Sequence, residues 1–569
     1  MGATTSQPVT AAQYSGSTFS LSAHYGGKVR VVFAPDLRSE LCAVVVENGT
    51  KAMTMCTALH QVALMLGNKP ERVPTNYFGS TEFPLGRQAF WHYGRDGIKG
   101  RKIVGAFLAL IRTCGFRLEA GGMTVQRKSY NLSSFAFSTR YPKYDFPGNT
   151  EEWICVMPTG RDKLHIFGVC RTVAENTHVK IIPWHLSQDE LGPIRGALDR
   201  AISRTWGKFK NESCSESFKY KLSGYIFSAN GKDTVKTRLA FAAILDELAS
   251  IGFALHCSAD LSTRDSDVSS MFFRRGRTAA RPGPRAAISL NKQSRLRVYG
   301  PDRLKRIIQT QLSAVGVLKS TEDYAGAMNL RLNFWAWSCH GEATVRAREV
   351  LMGVIEAAGR AGYDLDATLD LSTKMTDKSS FFFVPNISQP HYPAAFISLH
   401  STDKIRVLGP PELVSHVRNA IMHGWIKGIQ REKMYGNAHE FKLRSMPWVA
   451  SSGLSVHTRV LISNIVAAIV NTGWEVAASA DLSEKTTGGD NPTPLDLDTL
   501  FLRSGISVGA AVLASSSSAA APPIIVAAEA MTSTSTQVAV PIAAPVVTNA
   551  YQNPAQHYPA PSAPLFKIE

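Results

Sequence analysis

The side chains best placed to do chemistry in this sequence are cations. Between residues 274 and 306 stand eleven lysines and arginines against one acid, Asp302. Arg274, Arg275 and Arg277 open the run, Arg281 and Arg285 follow in a Gly/Pro-rich stretch, and Arg295 and Arg297 sit on a strand-like segment. Guanidinium groups at this density suit polyanions: an anionic membrane surface, RNA, or an acidic protein. The chain as a whole has the same sign, with a formal net charge of +17 over 569 residues. The plainer alternative is a solvated basic face with no ligand.

Constellations for catalysis are missing. There is no His-Glu-x-x-His, no Gly-x-Ser-x-Gly, no Gly-x-Gly-x-x-Gly and no EF-hand loop. Gly231-Lys232 is followed by Asp233 where a phosphate loop needs Ser or Thr. The eight cysteines include no Cys-x-x-Cys pair, so no structural zinc is expected and a reducing compartment fits them. The sequence therefore predicts no enzyme, no cofactor and no metal. At the N-terminus, Gly2 and Ser6 match the myristoylation pattern. One acyl chain binds membranes only marginally, and a basic surface is the usual second signal. No secretory leader and no unbroken run of some eighteen apolar residues are seen, so the expected setting is intracellular, cytoplasmic, with membranes reached by association.

The elements that must position these cations repeat. Around Arg348, Trp337 lies eleven residues before, Gly362 fourteen after, and Asp370-Leu371-Ser372 eight beyond the Gly. The same spacing holds around Arg238 (Phe227, Gly252, Asp260) and Arg459 (Trp448, Gly473, Asp481). It holds loosely around Arg101 (Phe90, Gly115), where Asp-Leu-Ser is absent. Each Gly follows an apolar-striped helix and reads as its left-handed stop, and each Asp-Leu-Ser suits an Asx turn. The lone Asp per repeat reads as a turn cap, and each helix Arg as a structural side chain whose stem lies on the sheet edge and whose head pairs with the nearby Asp.

The expected fold class is α+β: about four tandem two-layer modules, each strand-helix-strand-strand-hairpin-helix with a largely antiparallel sheet, and then a disordered tail. The expected boundaries are a flexible leader at 1–26, a degenerate or capping module at 27–85, and modules at 86–210, 218–318 and 329–430. A truncated module follows at 441–504, and the Ala/Ser/Pro-rich tail is 505–569. The aromatic pairs Tyr225/Phe227 and Trp335/Trp337 are expected to share one strand face by alternation. Hairpins are expected at 287–299 and 396–408, each ending in Gly-Pro before a helix at 302–312 or 412–425.

Trp335/Trp337, the helix after them, and the strand at 405–409 leading to a last helix resemble in outline the kinase-associated-1 modules. That resemblance implies binding of anionic phospholipid. Three functions therefore stand as expectations: a peripheral membrane adaptor using Gly2 and basic surface, an RNA-binding protein using Arg-rich loops and sheet aromatics, and a protein–protein scaffold.

Overall fold

The computed structural model describes residues 18–24, 26–33, 41–46, 49–90, 94–125, 131–138, 149–175, 178–214, 216–262, 268–276, 281, 283–374, 378–386, 394–482 and 496–504. Gly2, Arg277, residues 1–17 of the expected leader and the 505–569 tail lie outside them; residues 18–24, expected to be flexible, instead form the strand Thr18–His24, which pairs with Lys28–Phe33.

Hairpins are the units from which the sheets are built. In the third sheet the central hairpin pairs Ala286–Asn291 with Arg295–Tyr299. A helix, a second hairpin (Leu318–Tyr324 with Ala327–Leu332), another helix and a third hairpin (Tyr363–Leu369 with Ser380–Pro385) follow. In space the second hairpin flanks one side of the first and the third flanks the other. The fourth sheet repeats this with Ala394–His400, Lys404–Leu408, Ile429–Tyr435, Ala438–Leu443, Trp474–Ala480 and Asp496–Ser504, and the first with six strands between Thr18 and Ser138. The second contains the same six-strand path and extends it to nine. Its one parallel pairing joins His178–Pro183 to Leu41–Val46.

Among the described residues eight α-helices lie between the sheets, two per module: α1 (Met55–Met65), α2 (Gly94–Thr113), α3 (Gln188–Thr205), α4 (Asp233–Ser250), α5 (Asp302–Ala314), α6 (Ala343–Arg360), α7 (Pro411–Gly424) and α8 (Ser452–Asn471). The second helix of each module packs on the sheet of the next: α2 on the second sheet, α4 on the third, α6 on the fourth. The last helix, α8, packs on strands of the first sheet, and its Leu461 and Ile465 share a core with Met123 and Ala136. The four modules thus close into a ring. This two-sided enclosure explains why the central strand Ala286–Asn291 is buried at five consecutive positions. It also explains α8, which is apolar enough to span a membrane yet 67% buried along that stretch.

The seams reuse one device. Arg101 Nε donates to Ser270 Oγ at 2.8 Å, Arg238 Nε to Ser380 Oγ at 3.2 Å, and Arg348 Nε to Thr499 Oγ1 at 2.9 Å. Each bond runs from the second helix of one module to the same strand position in the next. A second clasp runs backwards: Arg30 Nη1 to Ser455 Oγ at 3.5 Å, Arg297 Nη1 to Thr234 Oγ1 at 2.9 Å and Arg406 Nη1 to Thr344 Oγ1 at 2.8 Å. At the closing seam the first device is not made. Arg459 Nε and its positional counterpart Ser134 Oγ are both buried without a hydrogen-bond partner.

The sheets are phased differently from the expected boundaries. A sheet closes over 286–385 or 394–504, so modules drawn at 218–318 or 329–430 each join halves of two sheets. The region at 441–504 is the second half of a whole module that begins at Ala394, and 27–85 supplies three strands of the first sheet, Lys28–Phe33, Thr75–Tyr77 and Ser80–Pro84, and two of the second. The aromatic pairs are not on strands. Ile226–Ser228 and Pro447–Val449 are short 3-10 helices, and Ser338 N closes a turn on Trp335 O at 3.2 Å. Such a turn sends neighbours two apart in opposite directions, so Trp337 is buried while Trp335 is out in solvent. The outline likeness to kinase-associated-1 modules loses the strand that carried it.

Candidate functional site

The predicted basic cluster is largely spent inside the fold. Arg274 faces Glu151 (Nη1–Oε1 3.3 Å), and burial pushes its guanidinium down to about 10. Arg275 Nε donates to Glu152 at 2.6 Å while the guanidinium covers the Phe253 ring. Arg281 meets Asp364 and Asp366, both at 3.1 Å. Arg285 joins Asp246 of α4 to Asp366 of the third sheet, both at 2.9 Å; burial raises the Asp246 carboxyl, against the pull of Arg285. Arg295 pairs with Glu322 at 2.9 Å. Arg297 donates to Asn329 and lies over the Tyr324 ring at 4.1 Å. These six are brought to inter-module and cross-strand contacts, not to one shared open patch.

The residues of the repeat signature lie at helix stops, turns, seams and core. Gly252, Gly362 and Gly473 have φ of 90°, 85° and 77°, the left-handed stop that Cβ-bearing residues avoid. Ser262 N donates to Asp260 Oδ1 at 2.9 Å and Ser372 N to Asp370 Oδ1 at 3.2 Å, closing Asx turns. The backbone of Asp260 and of Asp481 also donates to Ser133 Oγ and Ser379 Oγ of the preceding module, at 2.9 and 3.1 Å. Phe227, Trp337 and Trp448 are core, with Trp337 Nε1 donating to Arg295 O at 2.9 Å and Trp448 Nε1 to Lys404 O at 3.1 Å. Among the described residues no three His, Cys, Asp or Glu are grouped to hold a metal. Cys114 is disulfide-bonded, a departure from the all-reduced expectation, while Cys56, Cys155, Cys170, Cys214, Cys257 and Cys339 are not joined in disulfides.

A surface that the sequence did not point to lies at one end of each module. There the turn of the central hairpin, the loop after the first helix and the loop before the buried aromatic are bonded side by side. Phe227 N donates to Arg161 O, Trp337 N to Gln293 O and Trp448 N to Thr402 O, while Ser223 N meets Lys208 O and Arg444 N meets Gly428 O. The same seams recur around the ring, so these ends face the same side of it. Each carries a large exposed apolar residue at the equivalent position: Tyr225 (60% exposed), Trp335 (67%) and Met446 (55%). Val315 and Ile426 are exposed in the adjoining helix-end loops.

Cations surround them in cross-strand rows. In the second module Lys210, Lys221 and Lys163 are directly paired across three strands, and none has an ion-pair partner among the described residues. In the fourth, Arg431, Lys442 and Lys404 repeat the row; Lys442 is 3.9 Å from Asp403. The third has Arg331 beside the Glu322-paired Arg295. Like charges placed directly opposite each other in an antiparallel sheet cost about 0.2–1 kcal/mol per pair. Such rows are favourable when an outside anion neutralises them. Their effect is felt at His165, held down to about 4 by burial first and then by Lys219 and Lys163.

No curated protein and no solved structure matches the chain. One domain family's model matches it three times, over residues 152–274, 284–384 and 393–503. These spans coincide with the second, third and fourth sheets, and the first sheet shares their strand order outside the match. With more than half its length matched, the chain belongs to that domain family and carries the domain in three tandem copies.

Proposed function

We propose that this tandem-repeat ring is a non-enzymatic scaffold that docks on anionic membrane surface through the face formed by the ends of its modules. The observation that carries the proposal is the repetition of an exposed apolar residue, Tyr225, Trp335 or Met446, beside a cross-strand cation row. Apolar tips entering the headgroup boundary with cations around them describe interfacial binding. Each Lys or Arg near an anionic leaflet contributes about 1 kcal/mol, so rows repeated on one rigid ring supply what a lone cluster would not. Base stacking needs rings, and Met446, Val315 and Ile426 have none; this favours lipid over RNA. Acylation at Gly2 would add a second anchor.

The test is flotation of the full chain with phosphatidylserine/phosphatidylcholine vesicles. The variants are Lys163→Glu/Lys210→Glu/Lys221→Glu, Tyr225→Ser/Trp335→Ser/Met446→Ser, and Gly2→Ala. Salt-sensitive flotation that both surface variants abolish supports the proposal. Flotation untouched by either, or none at all, overturns it. Salt-sensitive RNA retention lost in the same lysine variant would move the function to nucleic acid.

A further inference from the structure

The first module has no counterpart of Tyr225 or Trp335; at that end it has a cleft of about 320 Å³ instead. The cleft lies between the loop 85–90, the stretch after α1, and the start of α2. Its polar lining is Arg72, Arg87, Gln88, Lys99 and Asp96, three cations against one acid. Neither Arg87 nor Lys99 has an ion-pair partner among the described residues. The corresponding pair in the second module, Lys236 and Asp233, is joined at 3.1 Å. Arg72 is held in place by donating to Asn68 Oδ1 at 3.3 Å and to the Leu85 carbonyl. Two close backbone approaches shape the walls. A Cβ on Gly86 would lie against the Arg72 guanidinium, and one on Gly100 would enter the Ala89 carbonyl. Burial, and then Arg72, pull the Lys99 ammonium below its ordinary range, as expected of cations gathered without enough negative charge.

We infer that this cleft is a binding site for a phosphomonoester: a dianionic phosphate carried on a group of sugar or inositol size. Three cations less one acid leave two positive charges, matching that dianion. Arg72 and Arg87 supply planar forks for phosphate oxygens, with Lys99 as a point charge. The volume falls at the lower end of small-molecule sites and is too large for phosphate alone. The phosphate can come from a soluble metabolite or from a lipid headgroup presented to the same side of the ring, the latter resting on the membrane proposal.

Calorimetric titration of the full chain with inorganic phosphate and with a soluble inositol phosphate tests the first source. Flotation with vesicles of phosphatidylcholine doped with phosphatidic acid, against phosphatidylserine at equal charge, tests the second. The informative variant is Arg87→Gln/Lys99→Gln, whose side chains make no described ion pair; Gly86→Ala, which displaces Arg72, is the second. The expected result is saturable binding of the inositol phosphate, weakened at least tenfold in both variants, with phosphatidylserine flotation unchanged. A preference for phosphatidic acid lost in the same variants assigns the lipid source. Absence of saturable binding to either probe, or binding that survives Arg87→Gln/Lys99→Gln, overturns the site while leaving the phosphatidylserine result standing.

Discussion

The ring makes an unequal prediction for two equivalent arginines. Arg348 is buried, its Nε donating to Thr499 at 2.9 Å and its Nη1 to the Thr344 carbonyl at 2.9 Å. Replacing it with Met removes at least two charge-assisted bonds and strands a buried hydroxyl and carbonyl. At about 1.5 kcal/mol or more per bond to a charged group, the loss is roughly 3 kcal/mol or larger. Arg459 occupies the same position in α8, but only its Nη1 bond to Ser455 O at 3.0 Å is made. Burial, and then Arg30, push its guanidinium down to about 9. A base whose folded pKa is depressed is a penalty on the fold while it stays charged, of about 1.4 kcal/mol for each pKa unit. Arg459→Met should therefore be neutral or stabilising, while Arg348→Met should be strongly destabilising. Urea unfolding of both full-length variants reads the difference, and hydrogen exchange should locate the weakest amides of the parent at the seam of α8 with the first sheet. A loss in Arg459→Met equal to that in Arg348→Met would refute the claim that the closing seam lacks the first of the two clasps.

Three further outcomes follow from the same contacts. Asp498 sits at the closing seam, accepting from Thr124 N and Ser479 Oγ, both at 2.8 Å. Burial first, with Asp481 adding, raises its carboxyl to about 7 from 3.8. A raised folded pKa gives stability that is present below pH 4 and lost as pH climbs through 7, about 4 kcal/mol at most. Urea midpoints at pH 5 and pH 8 should differ in the parent and converge in Asp498→Asn. Arg285→Leu should cost about 1–3 kcal/mol by taking the guanidinium from half-buried Asp246 and leaving Asp366 to Arg281 alone, seen as a fall in Tm; vesicle flotation under folding conditions should be unchanged. Gly362→Ala should cost about 1–2 kcal/mol, because φ of 85° suits only Gly, measured by urea unfolding.

The repeat was legible because its spacing is set by local needs. A helix of fixed length must stop at Gly362, and the strand after it must turn at Asp370, so those residues recur at fixed intervals. The phase was not legible. A tandem array has the same period wherever counting begins, and the boundary is set by long-range pairing such as Ala287 with Phe382. Trp335-Ala336-Trp337 imitates strand alternation, but a tight turn also separates the two rings, one to solvent and one to core. The first module was split because Thr124 stands where the others have Asp260, Asp370 and Asp481; the acid at that seam, Asp498, is on the opposite partner.

The site failed to show in the sequence for a related reason. The 274–306 run is lopsided only within its own window, since Glu151, Glu152, Asp246 and Asp364 arrive from other elements. Lys163, Lys210 and Lys221 are unremarkable in sequence and become a row only when three strands pair. A comparison of hairpin positions between repeats would have found them, because Lys404 and Lys442 recur at the matching places.

The most direct measurement is tryptophan quenching by brominated lipid. Vesicles of phosphatidylserine with bromine at the upper acyl carbons would be mixed with the full chain and with Trp335→Phe. Docking through the proposed face predicts quenching in the parent that is lost in Trp335→Phe, because Trp335 is held out at 67% exposure, the most exposed tryptophan among the described residues. Equal quenching in the two proteins, or none in either under conditions where the chain floats, would contradict the account.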